Sequence, residues 1–288
     1  MSNVSLMTQT GSEQDLQESD KVFWHGYLSF YEQHLPKDIN GKIVEFGVFK
    51  GASIRWLLRR FPSADIIGVD IEPQKEEWPV DSRVTYMTVD QGRPADIARL
   101  FAEVHAPAMI IEDGSHIPSH QSSCLVQGMS ALAPGGIYIL EDIHTSHPRH
   151  ELYERECEDE MGRGKRILRG LKRKLCPGHA ATFKQTSLSV LLAFDHLKRL
   201  NRERLTPEEL ALLATGNHFN QDAILDLYEA IGNIATYRRS VLPRACYRCK
   251  RTSYRYHSFK CECGADLFMA PDSMSVFIQK NGRSLQST

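Results

Sequence analysis

The sequence lacks a long apolar run and an excess of charge of either sign. Lys and Arg number 35 against 36 Asp and Glu, so the chain has no overall attraction for nucleic acid or for an anionic membrane surface. No apolar run reaches the length of a bilayer-spanning helix, and residues 1–20 lack the basic and then apolar order of a secretory signal. These absences predict a cytoplasmic protein with a small-molecule substrate and no membrane partner.

A disulfide framework is also missing. The seven cysteines are odd in number, and four of them are crowded between Cys246 and Cys263, which fits reduced thiols and a metal site better than disulfides. The pairs Cys246 with Cys249 and Cys261 with Cys263 offer four thiolates to a tetrahedral Zn²⁺, although the second spacing is tighter than usual and unliganded thiols remain the alternative. A structural zinc ion would stabilise a small ribbon-like element at residues 241–264.

Short apolar segments alternate with helical patterns through the first half of the chain, which predicts an α/β fold with a doubly wound, mostly parallel sheet. The predicted strands are residues 42–46, 65–70, 84–89, 108–112 and 136–140. The predicted helices are residues 21–34, 52–61, 95–103, 120–132, 188–200, 206–213 and 223–234. Two further strands, residues 265–270 and 274–279, are predicted to form a terminal hairpin and bring the sheet to seven strands.

These patterns divide the chain into consecutive parts. The parts are a disordered tail at residues 1–18, a core at 19–146, a helical insertion or lid at 147–240, the zinc element at 241–264 and the hairpin at 265–282. The insertion contains the basic stretch 163–174, for which a solvated helix face is favoured over a phosphate site.

Carboxylates follow two neighbouring strands of the predicted sheet. One strand ends in Asp113-Gly-Ser-His116, and the next ends in Glu141-Asp142. Parallel strands end at a common edge of the sheet, and Mg²⁺ prefers carboxylate oxygens. The sequence therefore predicts a metal-assisted active site at this edge, against the alternative of a solvated turn with a surface histidine.

A glycine-containing loop joins the first strand to the following helix. Glu45 lies next to the end of the strand, and Gly47 and Gly51 let the backbone approach a ligand at the start of the helix. The loop lacks the Gly-x-Gly-x-x-Gly pattern, which disfavours NAD.

The next two strands also end in polar residues. Asp70 ends the second strand, where an acid typically accepts hydrogen bonds from ribose hydroxyls, and Asp90 with Gln91 follows the third strand, where they could bracket an adenine. A generic turn with solvated acids is the alternative, but the acids at four strand ends favour a binding site.

The loop with Glu45, Gly47 and Gly51, the acid Asp70 and the expected sheet order resemble class I S-adenosylmethionine-dependent methyltransferases. More narrowly, Asp113-Gly-Ser-His with Glu141-Asp-Ile-His-Thr is similar to the metal-dependent sugar O-methyltransferases of antibiotic biosynthesis, of the mycinamicin and rhamnosyl type. The resemblance spans about residues 22–146, resumes at 272–280 and does not include the cysteines.

This resemblance implies a Rossmann-like methyltransferase fold and a chemistry. S-adenosylmethionine would contact the residues named above, which are Glu45, Gly47, Gly51, Asp70, Asp90 and Gln91. Asp113, Glu141 and Asp142 would hold Mg²⁺, which binds two neighbouring hydroxyls of the acceptor and makes one more acidic. His116 would take the proton, with Asp113 the other catalytic residue. The acceptor would be a glycoside or a nucleotide-linked sugar.

Two other functions stay open. A catechol-type small-molecule O-methyltransferase would chelate two aromatic oxygens in the same way. An RNA-binding protein or RNA methyltransferase would use the zinc element, where Tyr247, Tyr254 and Tyr256 stand among basic residues. The neutral net charge and the acid cluster disfavour nucleic acid. The aromatic N-terminal helix and the resemblance leave a homo-oligomer open.

Overall fold

The computed structural model of the chain describes residues 19–159, 184–255, 260–267 and 273–282. The predicted disordered tail and the basic stretch 163–174 lie outside these residues. Across the described ranges, no helix is both long enough and apolar enough to cross a membrane.

The chain forms a central sheet and a small second one. The strands are β1 Gly41–Phe46, β2 Ala64–Asp70, β3 Val84–Thr88, β4 Met109–Glu112, β5 Ile137–Leu140, β6 Ile231–Arg238, β7 Tyr254–Arg255, β8 Lys260–Cys261 and β9 Met274–Lys280. Among the described residues, seven strands form the central sheet in the order β3-β2-β1-β4-β5-β9-β6. β1 to β5 are parallel, and β9 is antiparallel to both β5 and β6. The predicted doubly wound, mostly parallel seven-stranded sheet is confirmed.

Helices cover both faces of this sheet. They are α1 Tyr27–His34, α2 Ala52–Arg60, α3 Pro94–Val104, α4 Pro118–Ala131, α5 Glu151–Asp159, α6 Ser187–Arg199, α7 Pro207–Leu213 and α8 Gln221–Ala230. Successive residues of a strand point to opposite faces, so Val44 joins the core beneath α3 and α4 while Ile43 joins the core beneath α1 and α2. Because both faces are buried, the strands are apolar without interruption.

The predicted terminal hairpin is wrong. Both edges of β9 are occupied, one by β5 and the other by β6, whereas the prediction required one of them to pair with the strand at residues 265–270. Of that segment the structure describes residues 265–267, where Asp266 bridges Lys260 of the small sheet.

The predicted helix 223–234 ends early. α8 ends at Ala230, and the chain enters β6 directly at Ile231. Ile224, Leu227, Ile231 and Ile234 keep a helix-like spacing across this junction because all four are buried in the same core. Residues 231–238 therefore belong to the core sheet, and the domain boundary predicted at residue 240 is wrong in this respect.

The helices of the predicted lid are part of the helical layer on one face. α6, α7 and α8 bury Leu188, Phe194, Leu213 and Leu227 in the same cluster as residues of α3 and α4. Thr206 closes a capping box with Glu209 at the start of α7, which fixes where that helix begins. These three helices pack against this face of the sheet.

Candidate active site

The acids predicted from the strand ends lie side by side. Phe46 pairs with Glu112, and Glu112 pairs with Leu140, at the last positions of β1, β4 and β5. The N–H of Glu141 donates to the carbonyl of Glu112 at 2.9 Å, so the ladder continues for one residue beyond the strands. Acids on neighbouring strands are thereby held at one edge, as expected for a parallel sheet.

Three of the predicted residues form a cluster with the donor set of a divalent-cation site. Asp113, His116 and Asp142 each offer one ligand atom, and these atoms lie within 4.8 Å of one another. His116 Nε2 is 3.9 Å from Asp113 Oδ1 and 3.8 Å from Asp142 Oδ2. Two carboxylate oxygens with an adjacent imidazole fit Mg²⁺ or Mn²⁺, with further positions left for water or substrate oxygens.

The backbone at this cluster is unusual. His116 has φ 56° and Asp142 has φ 48°, which places both in the left-handed region that non-glycine residues rarely adopt. Such conformations cost of order 1–3 kcal/mol and concentrate at functional sites. Here the two residues with this conformation are those whose side chains approach each other between the ends of β4 and β5.

Glu141, the third predicted metal ligand, is not in this cluster. A lysine that the sequence analysis did not identify, Lys21, donates to Asp113 Oδ2 and, at 2.7 Å, to Glu141 Oε1, and it lies 4.0 Å from Glu45 Oε1. Burial alone would lower the pKa of Lys21, but the three carboxylates outweigh it and raise this pKa well above its ordinary value. A buried ammonium group therefore neutralises the inner side of the acid cluster.

Asp142 is also contacted by residues near the N-terminus, close to Lys21 in the sequence. Tyr27 donates its hydroxyl to Asp142 Oδ1 at 2.6 Å, and His25 Nδ1 is 3.7 Å from the same oxygen. Burial alone would raise the pKa of Asp142, but the imidazoles of His25, His116 and His144 and the Tyr27 hydroxyl lower it to about 2. Asp142 is thus ionised and presents its other oxygen, Oδ2, to the cluster.

The candidate base lies within this negative surrounding. Burial alone would lower the pKa of His116, but Asp113, Asp142 and Glu112 raise it above its ordinary value. Its Nδ1 is buried and accepts or donates no hydrogen bond within the described part of the chain. Nε2 is therefore the ring atom that faces the acids.

The glycine loop contacts the acid cluster through its backbone. Gly47 has φ 88°, and a Cβ placed there would lie 2.1 Å from the carbonyl oxygen of Asp113. Gly51 has φ 74°, and a Cβ there would lie 2.4 Å from Pro79. Both positions require glycine because of conformation and close approach. Glu45, at the end of β1, is completely buried, and burial raises its pKa to about 7 against the lowering effect of Lys21.

Asp70, at the end of β2, lies beside the glycine loop. Its Oδ2 accepts hydrogen bonds from the N–H groups of Val48 at 3.0 Å and Phe49 at 3.3 Å, and its Oδ1 accepts from Glu72. Phe49 and Ile71, on either side of this acid, are 74% and 63% exposed. An acid with exposed apolar neighbours is suited to a ligand that carries both hydroxyls and a flat ring.

The two residues after β3 differ in their roles. Asp90 accepts from the N–H of Gly92 at 2.8 Å and stays partly exposed. Gln91 is buried, donates to Glu112 Oε1 at 2.8 Å and accepts from the N–H of Ser115 at 2.7 Å. Gln91 thus fixes the loop that carries Asp113.

The four cysteines come together as a second cluster. Their sulfur atoms lie within 4.8 Å of one another, with Cys246 and Cys263 at 3.7 Å and Cys249 and Cys261 at 3.4 Å. A tetrahedral zinc ion with Zn–S bonds of about 2.3 Å requires sulfurs about 3.8 Å apart. The separations are close to that value and far from the 2.05 Å or so of a disulfide.

The sheet order and the position of the acids define the methyltransferase fold, and comparison with solved structures supports this. The fold matches the MycE methyltransferase of the mycinamycin biosynthetic pathway, solved in complex with Mg, S-adenosylhomocysteine and mycinamycin VI, with a TM-score of 0.56. The match covers 94% of this chain and 54% of that chain at 17% sequence identity. No family model matches the chain.

Curated proteins confirm the resemblance to sugar O-methyltransferases of antibiotic pathways. The chain is 32% identical over 173 residues to the 8-demethyl-8-alpha-L-rhamnosyl tetracenomycin-C 2'-O-methyltransferase of Streptomyces olivaceus, which covers 56% of this chain and 45% of the relative. It is 33% identical over 143 residues to the L-olivosyl-oleandolide 3-O-methyltransferase of Streptomyces antibioticus, covering 45% and 36%. The chain thus spans less than half the length of these relatives.

Proposed function

We propose that the protein is an S-adenosylmethionine-dependent, Mg²⁺-dependent O-methyltransferase that acts on a sugar hydroxyl of a glycosylated natural product. The observation that carries this proposal is the cluster of Asp113, His116 and Asp142 in backbone contact with the loop at Gly47. The relatives named above, which methylate sugar hydroxyls of glycosylated compounds according to their names, support the choice of acceptor.

The cofactor would lie along the carboxyl edge between the glycine loop and Asp70. Gly47 and Gly51 leave the loop backbone open to close approach, while Asp70 accepts hydrogen bonds and Phe49 offers an exposed ring. S-adenosylmethionine supplies a methyl group already activated by its sulfonium. Asp90 is the remaining candidate for the adenine, since Gln91 is buried. Glu45 is completely buried and acts indirectly, through its position next to Lys21.

Asp113 Oδ1 and Asp142 Oδ2 would hold the metal. A Mg²⁺ ion held by these two acids would lower the pKa of an acceptor hydroxyl. His116 Nε2 lies beside both acids and takes the proton of that hydroxyl as general base. Lys21 and Tyr27 bind the opposite oxygens of the same carboxylates and so orient them, as residues behind metal ligands commonly do. Glu141 serves this arrangement by holding Lys21.

We also propose that the cysteine cluster binds a structural Zn²⁺. Its four sulfurs are spaced for tetrahedral coordination and fill all four positions, which leaves none for a substrate. The site is then closed and has no catalytic role.

Calorimetric titration with S-adenosylmethionine tests the cofactor assignment. Wild type should bind with and without Mg²⁺, and Gly47→Arg should abolish binding because no side chain fits against Asp113. Gly135→Arg is the matched control, since Gly135 has φ 74° but nothing within 4 Å of a Cβ. Absence of binding to the wild type would exclude the proposed function.

Mass spectrometry of glycosides incubated with enzyme and cofactor tests the chemistry. Asp113→Ala and His116→Ala should each stop methyl transfer while cofactor binding persists, and chelation of Mg²⁺ should do the same. Transfer that survives both His116→Ala and chelation would refute the metal-assisted mechanism with His116 as base.

A further inference from the structure

One short segment joins the candidate active site to residues 241–264, which contain the four clustered cysteines and are named here the cysteine element. Residues Lys21–His25 form a single π-helical turn, named here the π-turn, in which the N–H of Gly26 donates to the carbonyl of Lys21. All of its residues are buried. Such turns are rare and occur frequently at functional sites. The π-turn has one side toward the acids and the other toward the cysteines.

Lys21 and His25 form the side that meets the acids. The ammonium group of Lys21 is bound by Asp113 and Glu141, and the ring of His25 lies 3.7 Å from Asp142. Lys21 supplies positive charge and hydrogen bonds to two of the carboxylates at the sheet edge, and His25 lies beside a third. The geometry of the acids therefore depends on where the π-turn is held.

Phe23 and Trp24 form the opposite side. Both pack into a hydrophobic cluster that includes Cys246 and Cys261, and the carbonyl of Phe23 accepts a hydrogen bond from the N–H of Ala245 at 3.1 Å. This cluster is separate from the two cores of the sheet. The aromatic side of the π-turn is thus buried by the cysteine element.

Two cations strengthen this contact. Lys250 Nζ, next to Cys249 in the chain, lies 3.8 Å from the ring centroid of Phe23. The Arg239 guanidinium lies 4.3 Å from the ring of Trp24 and donates to the carbonyls of Trp24 at 2.8 Å and Leu267 at 3.1 Å. Cation–π contacts of this kind stabilise when desolvated. Here they join the π-turn to Lys250 within the element and to Arg239 just before it.

The described residues of the cysteine element, residues 241–255 and 260–264, contain little regular secondary structure. Its sheet consists of the two-residue strands β7 and β8. Each cysteine pair lies in a tight turn, closed by the N–H of Lys250 on the carbonyl of Cys246 at 2.8 Å and by the N–H of Gly264 on the carbonyl of Cys261 at 2.9 Å. Small segments of this kind depend on a bound metal for their folding.

We infer that Zn²⁺ in the cysteine element holds the π-turn in place and thereby positions Lys21 and His25 at the acid cluster. A structural metal outside the catalytic cluster then determines active-site geometry. Lys21 and His25 are positioning residues in this scheme, acting through Asp113 and its neighbours. The inference rests on the proposed function for the meaning of the acid cluster, but its test needs neither cofactor nor acceptor.

The first measurement is zinc content of the full chain by elemental analysis. Wild type dialysed against buffer with trace Zn²⁺ should hold one equivalent, and Cys263→Ser should lose it. Cys157→Ser is the matched control, because Cys157 is a buried cysteine outside the cluster, and it should keep its zinc. Wild type without zinc would overturn the inference.

The second measurement is the reactivity of Lys21 toward an acetylating ester, read by peptide mass spectrometry. The Lys21 side chain is 10% exposed and charged, so it should react slowly, whereas Lys37 is exposed and serves as reference. Removing zinc by chelation or by Cys263→Ser should raise the rate at Lys21 about tenfold through local opening and leave Lys37 unchanged. Restoring zinc to the chelated wild type should restore protection.

Hydrogen exchange separates a local effect from general unfolding. Exchange of residues 20–26 should accelerate on zinc removal while β1 keeps its protection. Zinc loss without a change at Lys21 or at residues 20–26 would overturn the inference, and so would equal acceleration in β1, since zinc would then stabilise the whole fold. Failure of S-adenosylmethionine to bind would refute the proposed function and leave these results intact.

Discussion

Replacing Lys21 with Met should show how strongly the acid edge depends on one buried cation. The ammonium group is bound by Asp113 and Glu141 and lies 4.0 Å from Glu45. Methionine is flexible and of similar length, so the substitution removes charge while leaving little empty volume. The variant therefore places three carboxylates around an apolar side chain.

Removal of one partner from a buried ion pair costs about 3–5 kcal/mol. A chain of this size loses roughly 2–4 °C in melting temperature per kcal/mol, so the melting temperature should fall by about 6–20 °C. Uptake of protons relieves the repulsion, because burial already raises the pKa of Glu141 well above its ordinary value. The loss should accordingly be larger at pH 8 than at pH 5.

Urea unfolding of wild type, Lys21→Met and Lys37→Met provides the assay. Lys37 is exposed, and its replacement should change the free energy of unfolding by no more than about 0.5 kcal/mol. At a hundred times its dissociation constant Mg²⁺ stabilises a protein by about 2.7 kcal/mol. At equal Mg²⁺ concentration the gain should be larger for Lys21→Met than for wild type, because the ion supplies the missing positive charge. A loss below about 1 kcal/mol at pH 8 would refute the role given to Lys21, given the 3–5 kcal/mol expected.

Three further predictions concern the same edge. Burial raises the pKa of Glu45 to about 7, against 4.5 in the unfolded chain. The folded state therefore keeps a proton that the unfolded state loses, and the free energy of unfolding falls by about 3 kcal/mol between pH 4.5 and 7. Glu45→Gln should remove this pH dependence in urea unfolding. Gly47→Ala should lower the melting temperature clearly more than Gly135→Ala, which adds only about 1–2 kcal/mol of backbone strain; equal losses would contradict the close approach of the loops. Tyr27→Phe should weaken Mn²⁺ binding by about tenfold in titration by removing the hydroxyl behind Asp142; unchanged affinity would show that this hydrogen bond does not orient the ligand.

The sequence was sufficient to predict that the acids at the carboxyl ends of β4 and β5 lie together, because few arrangements of strands fit the pattern. Strands separated by helices must be parallel, and parallel strands end at one edge, so acids following β4 and β5 had to lie together. The positions of Asp113, His116 and Asp142 could therefore be predicted from strand ends alone. The fold class and the positions of Gly47 and Gly51 followed from the same reasoning.

Lys21 could not be predicted in this way, because its partners are far along the chain. Hydrophobic periodicity over residues 21–34 indicates burial but not which charges a buried lysine meets. The only local signal was Lys21 and His25 four residues apart on an otherwise aromatic segment. β6 could not be predicted from local spacing either. Residues 231–238 are extended because they pair with the distant strand β9.

Contacts between the beginning and the end of the described chain complete the acid edge. His25 shares a hydrogen bond with Ser273 at 2.8 Å, and the Tyr27 hydroxyl, besides binding Asp142, donates to the carbonyl of Met274 at 3.1 Å. During synthesis, these bonds cannot form until β9 has left the ribosome, long after the loops that carry the acids. Nascent chains therefore carry every acid of the site, together with Lys21 and Tyr27, before the last contacts of His25 and Tyr27 with residues 273 and 274 can form.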